Sequence, residues 1–172
     1  MELYIPPNYD ETDKKLLFLA GPIQSAPRWQ DEAINFFFKR KVDFNIACPR
    51  YALLNERTTL DWTPGIDSTR QIDWEGYHLN KAGDKYEGCI LFWLPREKEH
   101  FCERAYAQTS RIELGEWLTR HKLEGTKISL GIEECFSGGD YLRYRLSKEC
   151  PEIRISSNLT ETCKNALEIL GN

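Results

Sequence analysis

Short unbroken apolar runs alternate along the chain with longer segments in which apolar residues recur at helical spacing. Leu16-Leu17-Phe18-Leu19-Ala20 is a continuous apolar run closed by Gly21-Pro22, the mark of a strand buried on both faces and followed by a turn. Over 27–41, Trp29, Ala33, Ile34, Phe37 and Phe38 fall on a helical stripe, and Pro27 suits a first helical turn, where its missing N–H is not needed. Phe44-Asn45-Ile46-Ala47-Cys48 reads as a second strand, stopped by Pro49-Arg50. Residues 51–69 show no period and read as a long loop beside an active site, because compact domains rarely keep such loops without a use for them. A helix over 71–82 leads into the strongest strand, Cys89-Ile90-Leu91-Phe92-Trp93-Leu94, which ends at Pro95. A charged loop over 96–106 and a helix over 110–121 follow. Then come a strand over 127–132, a helix over 139–146, a weak strand over 153–155 and a last helix over 161–170.

Alternation of this kind predicts an α/β domain spanning 1–172: a flavodoxin-like, doubly wound, five-stranded and mainly parallel sheet with helices on both faces. Residues 1–14 read as an N-terminal extension. Sheets of this type bind ligands beyond the carboxyl ends of their strands, where the strand order reverses. That rule points to Ala20, Gly21 and Pro22, to Pro49 and Arg50, to Leu94 and Pro95, and to the start of the helix at Ser110.

Two carboxylates stand out at those places. Glu113, in Thr109-Ser110-Arg111-Ile112-Glu113-Leu114-Gly115, falls in the first turn of its helix, where the positive dipole end favours the ionised form. Held rigidly and partly out of water, such a group can attack an anomeric carbon. The competing reading is a capping box, Ser110-x-x-Glu113, in which the glutamate only satisfies a free backbone N–H. Glu75 interrupts an apolar stripe formed by Ile72, Leu79 and Ala82, so its pKa should be raised and it can act as an acid toward a leaving group. Alternatively Trp74, Tyr77 and His78 form the buried side and Glu75 lies at the solvated margin. The small residues of Ala20-Gly21-Pro22 let a ligand approach the backbone closely, or only end a strand. His78, His100 and His121 belong to no triad pattern and read as surface or boundary residues. Trp62, in the long loop, can stack on a base or pin the loop down.

Charge and composition narrow the classes. The hydrophobic fraction is 41%, the charged fraction 29% and the net charge −4, with both signs interspersed, which argues against a nucleic-acid polymer as partner. No apolar stretch approaches the ~20 residues that span a bilayer, and the N-terminus lacks a signal-peptide pattern, so a cytoplasmic protein is expected. The cysteines have no C-x-x-C pair and read as free thiols. Neither G-x-G-x-x-G nor G-x-x-x-x-G-K-[ST] occurs.

Phe18-Leu19-Ala20-Gly21-Pro22-Ile23, Gln71-Ile72-Asp73-Trp74-Glu75, Ile90-Leu91-Phe92-Trp93-Leu94-Pro95 and Arg111-Ile112-Glu113-Leu114-Gly115-Glu116-Trp117 together resemble the nucleoside 2-deoxyribosyltransferase family, in its divergent transferase-like branch. The resemblance covers roughly 16–136. It implies a Glu nucleophile in an E-L-G motif, matching Glu113, and an acidic residue near the nucleobase, matching Glu75 with Asp73 as fallback. It also implies a sugar pocket at Ala20, Gly21 and Pro22. Trp29, Arg50, Pro95 and Ser110 complete the candidate substrate-binding set. The implied reaction moves a 2-deoxyribosyl group between bases through a glutamyl-sugar ester; an N-glycoside hydrolase and a silent nucleotide sensor are the alternatives. The implied partner is a nucleoside or nucleotide, with no metal or organic cofactor, in a homo-oligomer. The chain departs from the family where an acidic residue should precede the nucleophile: Arg104-Ala105-Tyr106-Ala107-Gln108-Thr109 carries none, and Glu103 lies too early. The stretch Gly83-Asp84-Lys85-Tyr86-Glu87-Gly88 is also longer than the pattern.

Overall fold

Five apolar residues in a row leave a strand no polar face, so Leu16–Ala20 has to run through the middle of a sheet covered on both sides. It does so in the computed structural model, which describes residues 1–50, 68–84, 88–103 and 105–171. In chain order the elements are β1 (Leu3–Tyr4), β2 (Leu16–Ala20), α1 (Trp29–Arg40), β3 (Asn45–Ala47), α2 (Ser68–Gly83), β4 (Gly88–Leu94), α3 (Gln108–Glu124), β5 (Ile128–Ile132), α4 (Gly139–Glu149), β6 (Ile155–Ser156) and α5 (Leu159–Leu170).

The strands form a six-stranded sheet in the order β1-β3-β2-β4-β5-β6, parallel at every pairing. The architecture is Rossmann/flavodoxin-like. The expectation of five mainly parallel strands is corrected by β1, which pairs Leu3 with Ile46 and Tyr4 with Ala47 at the sheet edge. Two residues of strand inside a Pro-rich start show no period, so residues 1–14 read as an extension. The long loop expected over 51–69, with Trp62, lies outside the described residues except for Ser68 and Thr69, which open α2.

Side chains alternate across the sheet and divide the core in two. Leu16, Phe18 and Ala20 of β2, with Ile90, Phe92 and Leu94 of β4, pack under α2, α3 and α4. Leu17 and Leu19, with Cys89, Leu91 and Trp93, pack under α1 and α5. α1 starts after Pro27, at Trp29, and buries Trp29, Ala33 and Phe37 at four-residue intervals. Asn158 caps α5, its side chain accepting the Glu161 N–H at 2.9 Å, and Gly171 ends that helix with φ 79°. All six cysteines are free thiols; Cys48, Cys89, Cys150 and Cys163 are buried. No helix among the described residues is long and apolar enough to cross a membrane.

The segment before β2 does more than extend the chain: it straps α2 to the sheet. Trp74 Nε1 donates to the Asn8 carbonyl at 2.6 Å, and Tyr77 Oη and Lys81 Nζ donate to the Asp10 carbonyl at 2.9 and 3.0 Å. His78, read as a surface or boundary residue by itself and as part of the buried side in the alternative reading of α2, is fully buried. Its Nε2 accepts the Asp10 N–H at 3.1 Å, so Nδ1 carries the proton given to the Trp74 carbonyl at 2.8 Å. That bonding suits a neutral ring, and burial lowers the His78 pKa accordingly. The Asp10 carboxylate, fully buried, accepts from the Thr12 N–H and hydroxyl at 2.9 and 2.7 Å and from Asn45 at 3.3 Å, and lies 3.4 Å from Lys81. Burial by itself would raise this carboxyl, but Thr12, Asn45 and Lys81 together hold it below its ordinary value. A depressed carboxylate stabilises the fold above its unfolded pKa and loses that contribution as pH falls through the folded one. Asp10→Ala is therefore expected to cost about 3 kcal/mol at pH 7 by urea denaturation. The gap from wild type should narrow once the pH drops below about 4.

Candidate active site

The chain leaves β2 toward α1 on one face and leaves β4 toward α3 on the other, which opens a crevice at the carboxyl ends of these two neighbouring strands. A cavity of about 390 Å³ lies there. Ala20, Gly21 and Pro22 line it from the turn after β2, joined by Ile23 and Gln24. Gln71, Ile72 and Glu75 line it from the first half of α2. Ser110 and Glu113 line it from α3, after Ala107, Gln108 and Thr109 at that helix's start.

The turn needs a glycine for two reasons. Gly21 has φ 148°, and a Cβ there would run into the Trp93 carbonyl and come within 2.9 Å of the Trp29 ring. Trp29 thus stands behind the turn rather than in the cavity, its Nε1 donating to the Pro22 carbonyl at 3.0 Å. The loop between β4 and α3 is tied across the same turn by the Lys98 N–H, which donates to the Ser25 carbonyl at 2.7 Å. At its far end the Tyr106 hydroxyl donates to the Pro95 carbonyl at 2.9 Å. Pro95 is buried in that brace and is not among the described lining residues. Arg50 is buried too, and Nη1 donates to Gln30 Oε1 at 3.2 Å on the α1 side, so that only its neighbour Pro49 reaches the cavity. Asp73 is exposed and does not line the cavity, which leaves Glu75 as the carboxyl that α2 presents.

α3 begins at Gln108, two residues before the position its apolar spacing marks, and this changes the reading of Glu113. Its N-cap is Ala107, in a left-handed conformation at φ 56° with no side-chain cap. Ser110 therefore lies inside the helix and is buried, and Glu113 sits in the second turn. The capping-box reading fails because Ser110 is not the cap. The expectation that the helix dipole keeps Glu113 ionised is also corrected. Burial, with added repulsion from Glu75 and Glu116, pushes its pKa up to about 7. Glu75 is raised as well, by burial, against a lowering from the Gln71 amide, which donates to Glu75 Oε1 at 2.9 Å. Of the expected apolar stripe of α2, Leu79 and Ala82 are buried, together with Trp74 and His78, while Ile72 is 66% exposed, so Glu75 sits where the helix leaves the core and meets the cavity.

Two carboxyls from different helices thus share one partly dry space, where burial raises both and the charge of Glu75 raises Glu113 further. Gln71 and Thr109, beside the pair, escape a reading by motif alone. Gln71 was findable from its place one helical turn before Glu75, on the same face. Thr109 carries no such signal. Among the described residues no three His, Cys, Asp or Glu side chains converge as metal ligands.

The fold and this cavity define a Rossmann/flavodoxin-like α/β protein with a paired-carboxyl site at the carboxyl edge of its sheet. The chain matches no protein-family model, and a search of curated proteins finds no significant relative.

A carboxyl whose folded pKa is raised favours folding while protonated and opposes it once ionised, so stability falls as pH rises from about 4.5 through about 7. Glu113→Gln, which keeps the shape and removes the charge, should stabilise the protein by about 2 kcal/mol at pH 8 and leave it unchanged at pH 4. Thermal denaturation at the two pH values reads this directly; a destabilised variant at pH 8 would contradict the burial argument.

Proposed function

We propose that the protein cleaves the N-glycosidic bond of a nucleoside and passes the 2-deoxyribosyl group to a second base, with Glu113 as nucleophile and Glu75 as acid and base. The observation that supports this reading best is the convergence of these two carboxyls, from α3 and α2, on one cavity beside the Ala20-Gly21-Pro22 turn. Glycosidic chemistry through a covalent intermediate needs such a pair: one ionised oxygen to attack and one proton to give.

In the first half-reaction a Glu113 carboxylate oxygen attacks C1′ as the C1′–N bond lengthens through an oxocarbenium-like transition state. The bonding pair leaves with the base, and Glu75 supplies a proton to the base. This gives a glutamyl ester and a neutral free base. In the second half-reaction Glu75, now ionised, takes the proton from an incoming base, whose nitrogen attacks C1′ and expels the Glu113 carboxylate, with overall retention. Water in place of the second base gives hydrolysis instead. Burial raises both groups, which favours a proton on Glu75, while Glu113, at about 7, still supplies an ionised fraction near neutral pH for attack. The resemblance to nucleoside 2-deoxyribosyltransferases points the same way, as do the match of Glu113 to the E-L-G nucleophile and of Glu75 to the base-side acid.

Intact-protein mass spectrometry after exposure to a panel of deoxynucleosides, together with turnover assays with and without a second free base, tests the reading. Wild type is expected to release base, to exchange bases when a second one is supplied, and to form a sugar adduct that Glu113→Gln abolishes. Turnover in Glu113→Gln should fall at least about a thousandfold; unchanged turnover in that variant overturns the assignment. The pH profile of kcat/KM should rise through about 7 as Glu113 ionises.

A further inference from the structure

We infer that Arg111 is a positioning residue for Glu113: its guanidinium stands in for the helix cap that α3 lacks and fixes the first turn of that helix as a wall of the cavity. This rests on the nucleophile role proposed for Glu113 and adds a residue that acts on it without touching substrate.

The need for such a residue comes from the helix start. α3 opens after Ala107, a non-glycine residue in the left-handed region at φ 56°, with no side-chain cap. Gln108, Thr109 and Ser110, which follow, line the cavity, so this turn is a weak point of the helix and part of the site at once. An unheld first turn frays, because its N–H groups have no partner inside the helix. Glu113 follows in the second turn and shifts with whatever happens to the first.

Arg111 supplies the hold. Helical side chains lean toward the N-terminus, and this one runs back until Nε meets the Tyr106 carbonyl at 3.4 Å, while Nη2 donates to the Ser137 carbonyl at 2.6 Å. Its Cζ lies 4.5 Å from the centre of the Phe136 ring. Phe136 is itself buried beside Tyr106, their ring centres 6.0 Å apart, and the Tyr106 hydroxyl is tied to the Pro95 carbonyl. One cation thus joins the approach to α3 to the segment between β5 and α4. It is held by carbonyls and a ring, and it makes no salt bridge among the described residues. A planar fork can reach two carbonyls while lying on a ring; a lysine ammonium keeps the charge and loses that geometry. The influences that raise Glu113 are burial, Glu75 and Glu116, not the charge of Arg111. Arg111 therefore acts through geometry, and a loosened first turn shows itself as water reaching Glu113.

Carbon-13 NMR titration of the side-chain carboxyls reads this without any turnover in wild type, Arg111→Lys and Arg111→Met, the Glu113 signal being assigned by its loss in Glu113→Gln. Glu113 is expected to titrate at about 7 in wild type and below about 6 in both variants, as water enters. Loss of charge alone would move it upward in Arg111→Met and leave it in place in Arg111→Lys. Melting temperatures establish that the variants are folded. With a deoxynucleoside that wild type cleaves, kcat of Arg111→Lys should fall about tenfold to a hundredfold while KM changes less than about threefold. The inference is overturned if folded Arg111→Lys keeps either the wild-type Glu113 titration or, where wild type turns over, the wild-type kcat. It is also overturned if both variants fail to fold, which would make Arg111 part of the scaffold alone. A shifted Glu113 titration in a protein that cleaves no deoxynucleoside sinks the glycosyl-transfer reading and leaves the brace standing.

Discussion

A parallel sheet covered by helices on both faces has no exposed surface of its own, and everything chemical in this molecule follows from that constraint. The five-residue and seven-residue strands at its centre, β2 and β4, are buried along their whole length. A ligand can meet them only past their ends. At the carboxyl ends the chain departs in opposite directions toward α1 and α3, and the space between the two departures is the cavity. The turn at Gly21 is pressed between the Trp93 carbonyl and the Trp29 ring, so the edge of that space is set by backbone packed against core.

Placing two carboxyls in this space works against stability, because each is partly removed from water and each raises the other's cost of ionising. The helices that carry them must therefore be held by contacts elsewhere. α3 is anchored by Leu114 and Trp117 in the core under the sheet. α2 has Trp74, Leu79 and Ala82 in that core, and in addition the strap from Asn8 to Thr12, bonded to Trp74, Tyr77, His78 and Lys81. The strap itself centres on a buried, fully bonded Asp10. Stability concentrated on one side of α2 thus offsets the strained electrostatics on the side that faces the cavity, an arrangement typical of sites that trade stability for function.

Much of the architecture could be read from the chain because its signals are local. Unbroken apolar runs mark β2 and β4, since only strands buried on both faces tolerate them. β1 escaped because a two-residue edge strand has no period of its own and exists only through its pairing with β3. Of the candidate site, Ala20, Gly21, Pro22, Glu75, Ser110 and Glu113 do converge on the cavity, because the rule of strand ends places them there. Trp29, Arg50, Asp73 and Pro95 satisfy the same rule of position but do not line the cavity: Trp29 packs behind the Gly21 turn, Arg50 bonds to Gln30 of α1, Asp73 is exposed, and Pro95 is braced by Tyr106.

The amino-acid sequence by itself determined the order of the strands and helices after β1, the double burial of the sheet and the presence of carboxylates near its carboxyl edge, because hydrophobic period and turn chemistry act over a few residues. Only the tertiary structure decided how far burial raises those carboxyls, the partner Gln71 gives to Glu75, and the buried role of His78. Each of these depends on groups tens of residues apart being brought into contact and away from water. Whether Glu113 sits in the first or the second turn of its helix was likewise settled by packing: the uncapped start at Ala107 is tolerated because the loop before it is braced from Pro95 and Ser25.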